Sequence, residues 1–204
     1  MIDTSCLRLI AITDNVRDGQ SGLIARASAA VEGGATCVQL RLKDVAARDL
    51  VGVARELIKT LKVPIIINDR TDVAIAAGAA GVHLGADDVP VSAARAIAPP
   101  GFLIGASVGN DDEAPLAQGA DYVGVGPVFA TSSKNDAGLP IGLTEFRRLA
   151  DLTGLPAIAI GGITAENARS VIEAGAVGVA VISSIFGVSD PMSAAEALAS
   201  AIGK

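Results

Sequence analysis

One short pattern occurs four times along this chain and constrains the fold more than any other feature. Each copy begins with Gly-Ala, continues through two further residues and enters a strand-like run; the copies are Gly34 to Leu40, Gly78 to Leu84, Gly119 to Val125 and Gly175 to Val181. They recur at intervals of about 40 to 56 residues, which is typical of repeated structural units. Each glycine follows a stretch with helical periodicity, where a left-handed residue commonly ends a helix. The repeat therefore predicts four helix-to-strand junctions of one kind.

Four more strand-like runs lie between these copies, so that strands and helices alternate, eight of each. These strands are predicted over residues 7–12, 64–67, 103–106 and 156–160, and examples of the helical stretches are 45–61, 91–98, 143–152 and 167–174. Such alternation gives a parallel sheet with helices packed outside it. Eight units of about 25 residues favour a compact (β/α)8 TIM barrel. We expect a single α/β domain over residues 1–204, with a doubly wound open sheet as the alternative.

Composition narrows the class of function. Lys and Arg number 16 and Asp and Glu number 22, for a net charge of −6, which argues against binding of a nucleic-acid backbone because that requires clustered cations. The longest uncharged stretch, 174–189, is shorter than the ~20 residues of a membrane helix, and the first residues lack a signal-peptide pattern. Cys37 lies in an apolar run, which favours a free thiol over a disulfide with Cys6. We expect a soluble, cytoplasmic protein without nucleic-acid or membrane partners, and a homo-oligomer is left open.

The second predicted strand ends in an alternating polar and apolar run. Side chains on a strand alternate between its faces, so Gln39, Arg41 and Lys43 share one face and the apolar residues between them share the other. Active sites of β/α barrels lie at the carboxyl ends of the strands. We therefore expect the apolar residues to face the helices and the polar ones to point into the barrel mouth. In an open sheet this run would instead be a solvated edge.

Acidic and hydroxyl residues follow the next strands. Asp69 comes after strand three, Asp88 after strand four and Ser107 after strand five. Either carboxylate alone fits a helix N-cap. Both at one rim, opposite Arg41 and Lys43, fit a Mg2+ site better, because Mg2+ usually takes one or two carboxylates together with substrate phosphate oxygens.

The single histidine, His83, lies inside strand four between two apolar residues, and we interpret it as structural. A Ser-His-Asp triad would have to use it, and the sequence does not obviously place Ser107 within its reach. Zinc is not expected, because the sequence holds no Cys/His cluster. General acids and bases are scarce, which favours chemistry driven by stabilising the charge of a leaving group.

Hydroxyl groups and glycines follow strands six to eight. The segment 127–142 is long for a compact domain, so we expect a lid-like loop; its run Thr131-Ser132-Ser133-Lys134 fits a phosphate clamp. Gly161-Gly162 and Ser183-Ser184 follow strands seven and eight, where barrels often bind phosphate through backbone N–H groups. An ordinary polar loop and a tight turn are the alternatives. Together with Arg41, Lys43 and the carboxylates, these residues predict two anion sites at one mouth, for a diphosphate and for a monophosphate.

The chain resembles the thiamine-phosphate synthase family over about residues 9–186. The resemblance rests on an ordered set of motifs, each weak alone: Val38 to Asp44, Ile67 to Arg70, Gly81 to Gly85 with Asp88, Gly124 to Phe129, and Ala159 to Ile163. It implies a magnesium-dependent transferase of thiamine biosynthesis, which joins hydroxymethylpyrimidine diphosphate to hydroxyethylthiazole phosphate and releases pyrophosphate. In that family the diphosphate departs first and leaves a pyrimidine-stabilised carbocation, which the thiazole nitrogen captures.

The resemblance also implies roles for individual residues. Those implied to hold the pyrimidine diphosphate are Gln39, Arg41, Lys43, Asn68, Ser107 and Lys134. Within this set the catalytic residues would be Arg41, Lys43, Ser107 and Lys134, and the magnesium ligands would be Asp69 and Asp88. Those implied to hold the thiazole phosphate are Thr131, Ser133, Gly162, Ile182 and Ser183, the last three mainly through backbone groups.

Four positions depart from the family pattern. Ala86 stands where Gln is usual, Gly109 where His is usual and Ala130 where Pro is usual, and Ser133 replaces a Thr but keeps its hydroxyl. The first two leave room for altered substrate preference or lower activity. Two alternatives therefore stay open: a thiazole tautomerase, for which the resemblance implies a His at the place of Gly109, and a non-catalytic phosphate-binding relative.

Overall fold

The chain folds into a closed barrel of eight parallel strands. The computed structural model describes residues 4–13, 19–133 and 138–203. The strands are β1 (Leu9–Ile12), β2 (Cys37–Leu40), β3 (Ile65–Asn68), β4 (Gly81–Leu84), β5 (Leu103–Val108), β6 (Tyr122–Val125), β7 (Ala157–Ile160) and β8 (Gly178–Val181). Each strand pairs with its neighbours in the chain, and β8 pairs with β1. The predicted barrel is confirmed, and the open sheet is wrong because no strand is left as an edge among these eight.

Helices surround the barrel, with two differences from the predicted alternation. They are α1 (Gly19–Glu32), α2 (Ala47–Thr60), α3 (Thr71–Ala77), α4 (Val91–Ile97), α5 (Gly142–Thr153), α6 (Ala168–Glu173), α7 (Ser183–Phe186) and α8 (Pro191–Ala201). Between β5 and β6 the structure has a 3-10 turn, Ala114–Ala117, instead of an α-helix. Pro115 lies within this turn and disfavours a longer helix because it lacks an N–H donor. After β8 there are two helices instead of one.

The repeated Gly-Ala pattern has a common hydrogen-bonding role. In the second copy, the N–H of Ala79 donates to Ala74 O at the end of α3, and the N–H of Ala80 donates to Ile65 O at the start of β3, each at 2.9 Å. The pattern thus ends one helix and begins the pairing of the next strand within two residues. The turn needs a positive φ, which glycine adopts without strain; all four glycines have it, namely Gly34, Gly78, Gly119 and Gly175.

Two apolar layers form the core, one between the strands and the helices and one inside the barrel. The inner layer is the smaller of the two, and its buried members are Leu7, Ile10, Ile12, Cys37, Ile66, Tyr122, Ile158, Ala180 and Ile182. Leu7 belongs to a 3-10 turn, Thr4–Leu7, that precedes β1 and packs into the amino end of the barrel. Burial of a Leu or Ile side chain contributes about 1.5–3 kcal/mol. The inner layer fills the barrel from its amino end up to the cavity, whose wall includes Ala180 and Ile182 beside polar side chains.

The two cysteines are free thiols, as predicted. They lie near the amino end of the barrel. Cys37 is the first residue of β2 and is buried, whereas Cys6 is partly exposed. Burial raises the pKa of the Cys37 thiol well above its ordinary value, and the nearby Cys6 adds to this shift. Within 4–13, 19–133 and 138–203, the helices are all too short or too polar to cross a bilayer.

Candidate active site

A cavity of about 660 Å³ opens at the carboxyl ends of the strands. Most of the residues predicted to act there contribute to its wall: Arg41, Lys43, Asn68, Asp69, Asp88, Ser107, Thr131, Ser133, Gly162, Ile182 and Ser183. They come from widely separated parts of the chain and meet because all eight strands run in the same direction. Lys134 lies outside the described residues. The mouth of the barrel is therefore where the predicted site lies.

The polar face of β2 points towards the barrel mouth, as its alternation predicts. Val38 and Leu40 pack in the layer between strands and helices. Arg41 is half-buried at the cavity wall, and Lys43 is more exposed. Gln39 lies two residues before Arg41 and deeper in the barrel. It is only 2% exposed and does not line the cavity, so its contact with a substrate stays a prediction.

Thr13 holds the end of β2, and sequence analysis missed this residue. Its buried hydroxyl accepts a hydrogen bond from the N–H of Arg41 at 2.8 Å and donates one to Arg41 O at 3.1 Å. The N–H of Thr13 also donates to Gln39 O at 2.9 Å. Thr13 therefore continues the pairing of β1 with β2 and fixes the backbone from which the Arg41 side chain extends. The one sign of this role in the sequence is that a Thr directly follows the apolar strand β1.

Asp69 and Asp88 both line the cavity, and neither caps a helix. The N-cap positions of α3 and α4 are Arg70 and Pro90, without side-chain capping bonds, so the helix-cap alternative is wrong for both. Asp69 has a positive φ of 65°, and its N–H donates to the carbonyl of His83 at 2.8 Å. This conformation is uncommon for a residue with a side chain.

The donor set on this side of the cavity fits a hard divalent cation. Asp88 Oδ2 accepts the N–H of Gly85 at 2.7 Å, which holds the carboxylate in place at the wall. Across the described parts of the chain, no group of three or more His, Cys, Asp or Glu residues could hold a metal. Two carboxylates, completed by substrate oxygens and water, form the ligand set that Mg2+ commonly takes. Asp69 and Asp88 therefore suit Mg2+ bound together with a phosphorylated substrate.

His83 lies at the cavity floor and hydrogen-bonds two side chains from neighbouring strands. Its Nε2 lies 3.1 Å from Ser107 Oγ, and its Nδ1 lies 3.1 Å from the hydroxyl of Tyr122. The sequence did not obviously place Ser107 within reach of His83, and the structure does so because β4 and β5 pair with His83 beside Gly105, two residues before Ser107. The second partner is a phenol and not a carboxylate, so this group is not a Ser-His-Asp triad. Sequence analysis missed Tyr122.

The paired glycines after β7 allow another loop to approach closely. Gly161 and Gly162 have φ values of 95° and 63°. A Cβ at Gly161 would lie 2.5 Å from Pro127 Cβ, and one at Gly162 would lie 2.5 Å from the carbonyl oxygen of Ala130. The loop that follows β6 also hydrogen-bonds this region, since the N–H of Phe129 donates to Gly161 O at 3.0 Å. Backbone packing therefore requires both glycines, whatever they contribute to binding.

Hydroxyl groups from two loops meet on this side of the cavity. Ser133 Oγ donates to Ser183 Oγ at 3.0 Å, and the N–H of Ser133 donates to Thr131 Oγ1 at 3.2 Å. Ser183 begins α7, and Ser184 Oγ donates to the carbonyl of Ile163. The segments after β6, β7 and β8 are thus joined into one polar wall. The lid function of 127–142 stays a prediction.

Arg26 supports the same wall from outside the cavity. Its Nη2 donates to the carbonyls of Phe186 and Val188, each at 2.6 Å, and so connects α1 to the end of α7. A cation that hydrogen-bonds the last carbonyls of a helix is favourable. Sequence analysis did not single out Arg26, because an isolated Arg in an exposed helix has no distinguishing pattern.

Two of the departures from the family pattern, Ala86 and Gly109, also line the cavity, as Ser133 does. The N–H of Gly109 donates to Glu113 Oε2 at 2.7 Å, and a Cβ at Gly109 would lie 3.2 Å from Gly126 O. Glu113 is part of the same wall. Any larger side chain at position 109 would therefore have to adjust to this carboxylate and to the backbone after β6.

A parallel barrel whose mouth combines cations, carboxylates and a hydroxyl wall defines a class of enzyme that acts on small anionic substrates. The family model for thiamine monophosphate synthase matches residues 9–185. The chain belongs to this family.

Individual relatives agree with this assignment. The chain is 48% identical over 192 residues to a thiamine-phosphate synthase of Roseiflexus castenholzii, covering 92% of this chain and 84% of the relative. It is 53% identical over 180 residues to one of Methanoculleus marisnigri, covering 86% and 84%. The solved structure of a thiamine phosphate pyrophosphorylase from Pyrococcus furiosus has a TM-score of 0.84 at 38% identity, covering 97% of this chain and 96% of that one. The prediction of a transferase of thiamine biosynthesis is confirmed.

Proposed function

We propose that the chain condenses 4-amino-2-methyl-5-(diphosphooxymethyl)pyrimidine with 4-methyl-5-(2-phosphooxyethyl)thiazole, giving thiamine phosphate and pyrophosphate by a dissociative displacement. The observation that carries this proposal is that one cavity joins two different polar walls. One wall has Arg41, Lys43 and two carboxylates, and the other has the hydroxyl groups of Ser133 and Ser183. A reaction between a diphosphate and a monophosphate needs both walls within reach of one reacting centre.

The first wall would bind the pyrimidine diphosphate. Arg41 and Lys43 supply positive charge, and the amide of Asn68 and the hydroxyl of Ser107 supply hydrogen bonds. Lys134 would add a further cation from the loop after β6. Because the charge on the diphosphate increases as it departs, fixed cations stabilise the transition state more than the bound substrate.

Asp69 and Asp88 would hold Mg2+ on this wall, consistent with the fit of their carboxylates. When bound, this ion neutralises charge on the diphosphate oxygens of the substrate.

The second wall would bind the thiazole phosphate. Thr131, Ser133 and Ser183 offer hydroxyl groups that are already in contact with one another, and Gly162 and Ile182 offer backbone groups at the cavity surface. Direct contacts between loops reduce the ordering that binding requires. The monophosphate would thereby orient the thiazole ring towards the pyrimidine.

The chemical step needs no strong base. The C–O bond to the diphosphate breaks and its electron pair leaves with pyrophosphate, so that a pyrimidine-stabilised carbocation remains. The thiazole nitrogen then donates its lone pair and forms the new C–N bond, without releasing a proton. This agrees with a site in which His83 hydrogen-bonds Ser107 and the phenol of Tyr122 and no carboxylate is seen beside it in these contacts. Electrostatic stabilisation and positioning therefore provide the catalysis.

Pyrophosphate release tests the proposal. We expect pyrophosphate only when both substrates and Mg2+ are present, and none when either substrate is omitted. A tautomerase would give no pyrophosphate, and a binding relative would give ligand-induced thermal stabilisation without product. Either result would refute the proposed reaction.

A matched pair of variants tests the metal ligands. We expect Asp69→Asn to lose most of the Mg2+-dependent rate with little loss of stability. Asp72→Asn is the control, because Asp72 lies nearby on α3 and pairs with Arg70 outside the cavity. Equal Mg2+ dependence in both variants would contradict the role of Asp69. A cytoplasmic location and the oligomeric state stay predictions.

A further inference from the structure

Three side chains, joined by hydrogen bonds, lie beneath the wall that contains Arg41 and Lys43. The Tyr122 hydroxyl contacts His83 Nδ1, and His83 Nε2 contacts Ser107 Oγ, both at 3.1 Å. Tyr122 is completely buried and His83 is 7% exposed, whereas Ser107 is half-buried at the cavity wall. This hydrogen-bonded row of side chains thus runs from the inner core of the barrel to the surface that would face the substrate.

Two glycines make room for this chain. His83 and Tyr122 flank Gly105 in the strand register, and a Cβ at Gly105 would lie 2.2 Å from Tyr122 Cζ and 2.5 Å from His83 Nδ1. A Cβ at Gly124, which pairs with Ser107, would lie 3.0 Å from His83 Cε1. The rings meet across Gly105 with their centroids 5.5 Å apart. Without these glycines, the two rings could not occupy this layer.

Burial determines the direction of the hydrogen bonds. Among the described residues, His83 Nδ1 is the hydrogen-bonding partner of the Tyr122 hydroxyl. A buried hydroxyl that donates no hydrogen bond destabilises the folded protein. Burial also raises the pKa of Tyr122, so the phenol keeps its hydrogen and donates it to Nδ1. A neutral imidazole carries its hydrogen on the other nitrogen. Nε2–H therefore donates to Ser107 Oγ, and the hydroxyl hydrogen of Ser107 remains to be donated elsewhere.

We propose that His83 is a positioning residue that directs the hydroxyl hydrogen of Ser107 towards the diphosphate of the substrate. Tyr122 acts one step further away, by holding His83 in the tautomer that carries its hydrogen on Nε2. The inference rests on the proposed function for the identity of the anion. It assigns no proton transfer to His83, which acts through the direction of its hydrogen bonds with Tyr122 and Ser107.

The tautomer can be observed directly, because His83 is the only histidine of the chain. In the untagged protein labelled with 15N-histidine, NMR reports on this single ring. We expect a protonated Nε2 and a bare Nδ1. A hydrogen on Nδ1 would overturn the proposal, since Ser107 would then have to donate to Nε2 and could not donate to the substrate.

Binding of inorganic pyrophosphate in the presence of Mg2+ measures the consequence without requiring turnover. His83→Gln keeps an amide donor near the place of Nε2, whereas His83→Asn keeps only the part of the side chain near Tyr122. We expect His83→Asn to weaken pyrophosphate binding about tenfold or more, the size of one hydrogen bond to a charged group, and His83→Gln to stay within about threefold. Equal losses in both variants, parallel to their losses of thermal stability, would indicate a purely structural role and overturn the proposal.

Tyr122→Phe provides the most specific test, because Tyr122 does not line the cavity. We expect a mixture of His83 tautomers in the NMR spectrum, a several-fold weaker pyrophosphate affinity and an unchanged KM for the thiazole phosphate. Unchanged tautomer and affinity would refute the role of Tyr122 in the chain. Absence of pyrophosphate release by the wild-type protein would instead refute the proposed function, and the NMR and binding results would still decide this inference.

Discussion

Replacement of Thr13 by Val tests how the end of β2 is held. Valine has nearly the same shape as threonine, so packing is retained while the hydroxyl is lost. Both hydrogen bonds between the Thr13 hydroxyl and the Arg41 backbone, at 2.8 and 3.1 Å, would disappear. The N–H and the carbonyl of Arg41 would then lack their partner at a half-buried position.

The expected loss of stability follows from these two groups. A buried polar group left without its partner costs about 1–3 kcal/mol, and partial access of water to Arg41 reduces this figure. We therefore expect a loss of about 2 kcal/mol in the free energy of unfolding. For a domain of about 200 residues this lowers Tm by about 4–8 °C. The N–H of Thr13, which donates to Gln39 O at 2.9 Å, is unaffected.

Two measurements on the same variants separate stability from function. Urea unfolding reports the stability, and the KM for the pyrimidine diphosphate reports the position of Arg41. We expect Thr13→Val to raise this KM more than Thr13→Ser, which keeps the hydroxyl but loses a methyl group. A Thr13→Val protein with wild-type stability and KM would refute the idea that this hydroxyl fixes the end of β2.

Three further substitutions test other parts of the site. Gly161→Ala should cost about 2–4 kcal/mol in urea unfolding, through overpacking and a strained φ, whereas Gly154→Ala, which also has a positive φ but open space, should cost about 1 kcal/mol; equal costs would contradict the close approach of the loop. Lys134→Ala should slow a single turnover, because a cation that stabilises the departing diphosphate is lost; an unchanged single-turnover rate would argue against this role of Lys134. Arg26→Met should raise the KM for the thiazole phosphate alone, since it loses the bonds to the carbonyls after α7; a rise for both substrates would indicate a general loss of structure.

The barrel interior shows how the site and the core share one layer of residues. Most of its buried members are aliphatic, but His83 and Tyr122 occupy the space that Gly105 and Gly124 leave open. A polar chain in this position is stable because each of its members has a hydrogen-bonding partner. Thr71 differs, since its hydroxyl is buried at the start of α3 without a hydrogen-bonding partner among the described residues.

The sequence by itself indicated the eight strands along the chain and the two faces of the run that ends β2. The Gly-Ala repeat marks helix ends and strand starts through local backbone geometry, and the alternation around Arg41 and Lys43 follows from the pleat of one strand. Such signals depend on neighbours within a few residues. The eight units then predicted a closed barrel, and the carboxyl ends of its strands predicted where Asp69, Asp88 and Ser107 would meet.

Only the tertiary structure decided which side chains touch across the barrel. The contact of His83 with Ser107 and Tyr122 depends on the register between β4, β5 and β6 and on the missing Cβ of Gly105. The hydrogen bonds between the Thr13 hydroxyl and the Arg41 backbone likewise depend on the pairing of β1 with β2. These contacts join strands that are far apart in the sequence, so the pattern of one strand alone does not give the residues that its side chains meet on the next. For this reason the sequence indicated the members of the site, and the fold determined the hydrogen bonds that connect them.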